Sequence, residues 1–206
     1  MSSAPIEPDI QDSSSPVTTV AAGVVLLVVF LIIAGLGTGN WVRVGDHSWW
    51  AFFFRWLHVL SGVMWIGLLW YFNFVQTPSM PKIPDEQKPA VSKVIAPTAL
   101  FWFRWSAMST IVSGLIVAAM MGYIGKALSL QGGYHAIGLG MWLGAIMWFN
   151  VWFIIWPNQK KALGMVQVSP EEKAAAAKKA GMTSRINTML SIPMLFCMVA
   201  QQNGGF

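Results

Sequence analysis

The chain has 206 residues, of which 55% are hydrophobic and only 10% are charged. This composition excludes an ordinary soluble domain and predicts a helical membrane protein. The formal net charge of +5 comes from basic residues between the apolar stretches, so we expect it to set membrane orientation rather than to bind nucleic acid.

The chain opens on a polar stretch followed by two apolar ones. Residues 1–16 contain three acids and no positively charged region before the apolar run, which predicts a disordered acidic tail rather than a signal peptide. Residues 17–38 are apolar and uncharged, so we predict a first spanning helix that anchors or packs. Residues 49–75 form the second predicted span, and the Trp pair at its start is typical of a bilayer interface.

A proline-rich segment, 76–97, follows and is predicted to be an extended, solvated loop. The third predicted span is 98–124, with serines at helical spacing that allow a neighbouring helix to approach closely. The fourth is 134–156. It carries Ala136, Gly140 and Gly144 at four-residue intervals, another pattern that favours close helix packing.

The last part of the chain predicts a short polar helix and then a fifth span. Ser169 is an expected N-cap, with Pro170 at the first turn. Residues 186–201 are apolar but are interrupted by Pro193. The predicted fold is therefore all-α and integral to the membrane, with residues 17–206 as one membrane domain. Its five transmembrane helices comprise a four-helix core and an additional N-terminal helix.

Orientation follows from the basic residues between the spans. One side of the predicted bundle has only Arg43 and Lys126. By the positive-inside rule the opposite side is cytoplasmic, which predicts a multi-pass protein of the bacterial inner membrane with a cytoplasmic N-terminus and a periplasmic C-terminus. The basic residues on the predicted cytoplasmic side are Lys82, Lys88, Lys93, Lys160, Lys161, Lys173, Lys178, Lys179 and Arg185.

Two histidines near the start of their spans are candidate ligands of haem b. His58 lies inside the second span, where an ionisable group is costly unless it has a function. His135 begins the fourth span, which runs in the same direction, and imidazoles from two helices commonly hold haem iron. Their depths differ by about 10 Å, so the second ligand stays open. A histidine at the edge of a span, such as His135, is often only an interfacial residue.

Other residues complete the list of candidates. Arg55 lies one turn before His58, where it either pairs with a haem propionate or extends toward the interface. Copper is a less favoured cofactor, because the methionines are scattered and fit core packing better. The single cysteine, Cys197, excludes an internal disulfide, and the sequence contains no haem c attachment motif.

Three ordered segments carry more specific strings. The first runs from Arg55-Trp56-Leu57-His58-Val59 through Trp65-Ile66-Gly67 to Tyr71-Phe72. The second is Asn-Val-Trp-Phe-Ile-Ile-Trp-Pro-Asn-Gln-Lys-Lys at 150–161. The third joins the Ser-Pro-Glu-Glu-Lys string at 169–173 to Asn-Thr-Met-Leu-Ser-Ile-Pro-Met at 187–194. Together, across about residues 50–200, they resemble the membrane-bound urate hydroxylase family (PuuD-type urate oxidases).

The resemblance implies the membrane part of that family. Complete members carry further membrane helices and a C-terminal cytochrome c domain, which implies urate oxidation with electrons passed to cytochrome c. This chain ends at Phe206 without a haem c motif and adds the span 17–38. We therefore expect a membrane module that is not an enzyme by itself.

Three functional hypotheses remain. The leading one is a haem b-binding electron-transfer module, or a subunit of a larger membrane redox complex, with other membrane subunits and a periplasmic cytochrome c as partners. The second is a urate-oxidising enzyme that uses a separate cytochrome c. The third is an accessory subunit that has no cofactor and fills an interface in a membrane complex.

Overall fold

The computed structural model describes residues 15–204, and all regular secondary structure between them is helical. The predicted tail, 1–16, lies outside the described residues except for its last two. The chain forms two compact units, Met1–Trp50 and Ala51–Phe206. The helices are α1 (Pro16–Thr38), α2 (His47–Lys82), α3 (Lys88–Met120), α4 (Ile124–Leu128), α5 (His135–Ala162) and α6 (Pro170–Asn203).

In the first unit, α1 is defined by a cap at each end. The hydroxyl of Ser15 accepts a hydrogen bond from the backbone N–H of Thr18 at 3.2 Å, which satisfies one of the free donors of the first turn. Gly39 ends the helix with a φ of 71°. Trp41 then folds back over Gly35, where a Cβ would lie 2.7 Å from the indole ring.

Four helices, α1, α2, α3 and α5, are long and apolar enough to cross a membrane. The protein is therefore an all-helical chain of membrane type. The fifth predicted span, 186–201, lies inside α6, which is not among these four, so the five-helix count stays a prediction. The prediction of one membrane domain over 17–206 likewise stays a prediction.

The prediction of a short polar helix followed by a separate apolar span after residue 169 was wrong, because both belong to α6. It runs unbroken for 34 residues, through Pro193. Its start is as predicted, since the Ser169 hydroxyl accepts from the backbone N–H of Glu172 at 3.1 Å. One face of the helix, from Ala176 to Ala200, is buried against neighbouring helices. The helix continues past the proline because the free energy gained by this burial is larger than the cost of one missing backbone hydrogen bond.

The proline-rich segment 76–97 was also predicted wrongly, because most of it is helical. The helical stretch of α2 extends to Lys82, and α3 already begins at Lys88. In three places a π-helical turn ends two residues before a proline: Tyr71–Gln76 before Pro78, Val91–Ile95 before Pro97, and Asn150–Ile155 before Pro157. The wider turn accommodates a proline, which has no N–H to donate.

The core of the second unit packs α2, α3, α5 and α6 together. Phe72 and Phe103 meet edge to face, with ring centroids 5.7 Å apart. The predicted small-residue face of α5 is confirmed, since Ala136, Gly140 and Gly144 are all buried. A Cβ at Gly140 would lie only 3.2 Å from Cβ of Cys197, so α5 and α6 approach closely there. The largest fully buried side chains include Trp65, Leu69, Leu100, Phe103, Met147 and Val151.

Candidate functional site: a cleft beside His58

His58 is held by a backbone carbonyl on the neighbouring helix. Its Nδ1 lies 2.8 Å from the carbonyl oxygen of Thr110 in α3. A carbonyl oxygen only accepts, so Nδ1 carries the proton and donates it. In the neutral ring, Nε2 then has a free lone pair, which is the arrangement found in metal-ligating histidines.

Small and hydroxylated residues of α3 make room for this ring. A Cβ at Gly114 would lie 2.8 Å from the imidazole of His58, so glycine is needed for the ring to pack there. One turn further along α2, Ser61 and Ser109 share a hydrogen bond of 2.8 Å. The predicted serine face of the third span therefore does contact another helix, and it holds α2 beside His58.

His58 lines a cleft of about 740 Å³ between α2, α3, α5 and α6. This volume is in the range of ligand and cofactor sites. The wall is largely apolar, with glycines and methionines among its residues, and few polar groups reach it. The lining includes Arg55, His58, Trp65, Thr110, Tyr123, Met141, Met194 and Met198.

Trp65 adds a hydrogen-bond donor to the wall of the cleft. Its side chain is 1% exposed, yet its Nε1 has no hydrogen-bond partner among the described residues. A buried indole N–H usually has a partner. By contrast, Trp70, which also lines the cleft, donates to the Ser191 hydroxyl at 3.0 Å. Trp65, which lines the cleft, therefore carries a buried N–H without a partner among the described residues.

Arg55 and Tyr123 are polar residues in the lining of the cleft. Both line it, and Arg55 forms no ion pair with any described residue. Tyr123 follows α3, and burial raises the pKa of its phenol. Arg55 lies one helical turn before His58, so a positive charge sits beside the imidazole, on the side away from Trp65.

His135 lies elsewhere. It is exposed at the start of α5 and lines a separate recess of about 160 Å³. Gln201 closes this corner, since its side chain accepts from the N–H of Ile137 and donates to the carbonyl of Gly133. The face of α5 on the cleft carries Ile137 and Met141 instead. The two predicted histidines thus do not line the same cavity, and a ligand role for His135 stays a prediction.

The described residues contain no group of three or more His, Cys, Asp or Glu side chains that could hold a metal ion. Cys197 is a free thiol buried in α6. A metal bound by several such ligands is therefore not suggested by these residues. A group held by one imidazole, as haem iron can be, needs no such cluster.

Asparagines that sequence reasoning missed join α6 to α2 and to α5. Asn73 donates to the Ser184 hydroxyl at 2.8 Å, and Asn150 donates to the amide oxygen of Asn187, also at 2.8 Å. Asn187 is fully buried and donates in turn to the Met147 carbonyl. Asn73 and Asn150 both lie in π-helical turns, a feature often found at functional positions.

A repeat within the sequence could have identified these asparagines as structurally important. Residues 58–73 and 135–150 can be aligned without a gap, and six of the sixteen aligned positions are identical. The asparagines end both copies and the histidines begin them, so His135 is the counterpart of His58 in the second copy. The identical pairs are His58 with His135, Met64 with Met141, Trp65 with Trp142, Gly67 with Gly144, Phe72 with Phe149, and Asn73 with Asn150.

Comparison with protein families gives one match. Residues 116–204 match the model of the urate oxidase N-terminal family. Over this segment the chain is similar to that family. The match confirms the resemblance over α4, α5, α6 and the end of α3, which include the second and third quoted strings. The first string, with His58, precedes the matched segment and stays a resemblance. No curated protein and no solved structure gives a significant match to the chain.

Proposed function

We propose that this protein is a membrane redox module of the urate hydroxylase type that binds haem b in the cleft through Nε2 of His58. The observation that carries the proposal is the hydrogen bond from Nδ1–H of His58 to the Thr110 carbonyl, which leaves Nε2 as the ligand atom beside a cleft of about 740 Å³. When bound, haem b supplies one-electron transfer.

The remaining walls fit this cofactor chemically. An apolar lining excludes water from a porphyrin, and the unpaired guanidinium of Arg55 suits a propionate carboxylate. Met141, Met194 and Met198 also line the cleft, and a thioether of one of them could serve as a second ligand of the iron. This chain's own part is to hold the imidazole in one tautomer and to neutralise a carboxylate.

The proposal extends to location and partners. We place the chain as a five-helix bundle in the bacterial inner membrane, with a cytoplasmic N-terminus and a periplasmic C-terminus, as the distribution of basic residues favours. A site in the half with His58 would exchange electrons with a periplasmic cytochrome c. Other membrane subunits would cover its lipid-facing helices. Copper remains the less favoured cofactor.

A visible spectrum of the purified full chain, produced with haem supplied, tests the cofactor. We expect reduced-minus-oxidised Soret and alpha bands that are lost in His58→Ala. His47→Ala is the matched control, and His135→Ala should also keep the bands because its side chain lines another recess. A colourless, folded protein would overturn the haem proposal, and a colourless protein that copurifies with other membrane subunits would support the accessory-subunit function.

A second function is favoured by the family match: oxidation of urate with a separate cytochrome c as electron acceptor. Its test is urate-dependent reduction of cytochrome c added to the haem-loaded protein. Reduction that is lost in His58→Ala would support an enzyme. Haem bands without any urate-dependent reduction of cytochrome c would support the electron-transfer module and would contradict the enzyme hypothesis.

A further inference from the structure

Cationic and donor groups gather around Trp156, at the end of the second unit away from His58. The guanidinium carbon of Arg104 lies 3.3 Å from the ring centroid of Trp156 and 5.9 Å from that of Trp152. The ammonium of Lys160 lies 5.6 Å from the Trp156 ring. Two positive charges from different helices therefore share one aromatic platform.

The donors of this cluster are not used within the protein. Nε of Arg104 and Nε1 of Trp152 are buried and have no hydrogen-bond partner among the described residues. The ion pairs between described residues join Lys88 to Asp85 and Lys161 to Glu172, so neither includes Arg104 or Lys160. A guanidinium that keeps its charge and a buried N–H, both without an acceptor, indicate a site for an anion.

The surroundings indicate what carries the anion. Trp105, whose side chain is half exposed, packs edge to face on Trp152 at 5.6 Å, and clustered tryptophans are typical of the bilayer interface. The segments at this end, 76–97 and 158–185, contain nine basic and four acidic residues, most of them in the helix ends. Basic pockets between membrane helices at such a position suit lipid head groups.

We propose that Arg104, Trp152 and Lys160 bind the phosphate of an anionic phospholipid. The phosphate oxygens accept from Nε–H of Arg104 and Nε1–H of Trp152, and Lys160 adds charge, while Trp156 fixes the guanidinium by stacking. The acyl chains lie in the bilayer. This site is separate from the cleft and does not depend on haem.

The test is native mass spectrometry and thermal melting of the purified full chain in detergent with phosphatidylglycerol or phosphatidylcholine. We expect phosphatidylglycerol to be retained and to raise the melting temperature, and phosphatidylcholine to do neither. Arg104→Gln and Lys160→Gln should each weaken retention about fivefold. Trp152→Phe keeps an aromatic side chain, though a smaller one, and removes the N–H, so it tests the donor if Arg104→Gln fails to fold.

The control is Lys126→Gln. Lys126 also lies over an aromatic ring, that of Tyr134 at 5.7 Å, but beyond the opposite end of α3. Unchanged retention in this variant and reduced retention in the other three would support the site. Equal retention of both lipids, or equal loss in Lys126→Gln, would overturn the proposal. Equal stabilisation by inorganic phosphate alone would overturn the lipid as its ligand.

Discussion

The imidazole of His58 donates a 2.8 Å hydrogen bond to the backbone carbonyl of Thr110 and packs on Gly114, one turn further along α3. The contact joins residues 52 positions apart, so it exists only when α2 and α3 are assembled. A substitution at Thr110 does not remove its backbone carbonyl. The position of the His58 ring is therefore better tested at Gly114, on which the ring packs.

Gly114→Ala should displace the His58 ring. The new Cβ would lie 2.8 Å from the imidazole, closer than carbon contacts permit, so we expect a loss of about 1–3 kcal/mol in unfolding free energy and a shift or loss of any haem bands. Thermal melting and the visible spectrum measure both. Gly181→Ala is the control, since a Cβ there meets nothing within 4 Å. Identical behaviour of the two variants would contradict the packing.

Trp65→Phe and Trp70→Phe should separate ligand binding from stability. Trp70 donates to Ser191, so its replacement should lower the unfolding free energy by about 1 kcal/mol. Nε1 of Trp65 has no partner among the described residues, so Trp65→Phe loses no hydrogen bond. The smaller ring leaves a cavity in the core that should cost about 1–3 kcal/mol, and ligand retention should fall further than in Trp70→Phe. Melting curves of ligand-free protein and cofactor content after purification are the measurements. Equal ligand retention in the two variants would argue against a free donor at Trp65.

Asn187→Ala should weaken the packing of α6 on α5. It removes the acceptor of Asn150 and the donor to the Met147 carbonyl, both inside the bundle, for an expected cost of about 1–2 kcal/mol. A double-mutant cycle with Asn150→Ala should give less than the sum of the single effects, because the two side chains share one hydrogen bond. Asn203→Ala, at an exposed site, is the control. Strict additivity would show that the pair is not coupled.

The N-terminus of α6 should show a pH dependence. The pKa of Glu171 is held below its ordinary value of 4.5, first by its own backbone N–H and then by the Ser169 hydroxyl. Because the folded-state pKa is the lower one, this contribution is present above the unfolded pKa and is lost as the pH falls through the folded pKa. Carboxyl NMR of Glu171 should give a value below 4.5 that rises in Ser169→Ala. An unchanged value in that variant would mean that the cap has no effect on the acid.

Much of the helical layout could be predicted from residue patterns. Three features could be predicted because they depend on residues close together in the sequence. They are the Ser169 cap, the small-residue face of α5 and the long apolar stretches. The prolines misled the prediction in 76–97 and at Pro193. Whether a helix absorbs a proline depends on a π-helical turn or on a buried face, and both are set by partners distant in sequence.

The amino-acid sequence alone determined that this is a helical chain with membrane-type spans, that its later part resembles the urate oxidase N-terminal family, and that His58 and Arg55 occupy costly positions inside an apolar stretch. Only the tertiary structure decided that His58 lines the large cleft while His135, its counterpart in the repeat, lines another recess. The physical reason is that helical periodicity shows which residues share one face of a helix but not toward which neighbour that face turns. The rotation of each helix about its axis is decided by contacts with other helices, such as His58 with Thr110 and Asn150 with Asn187.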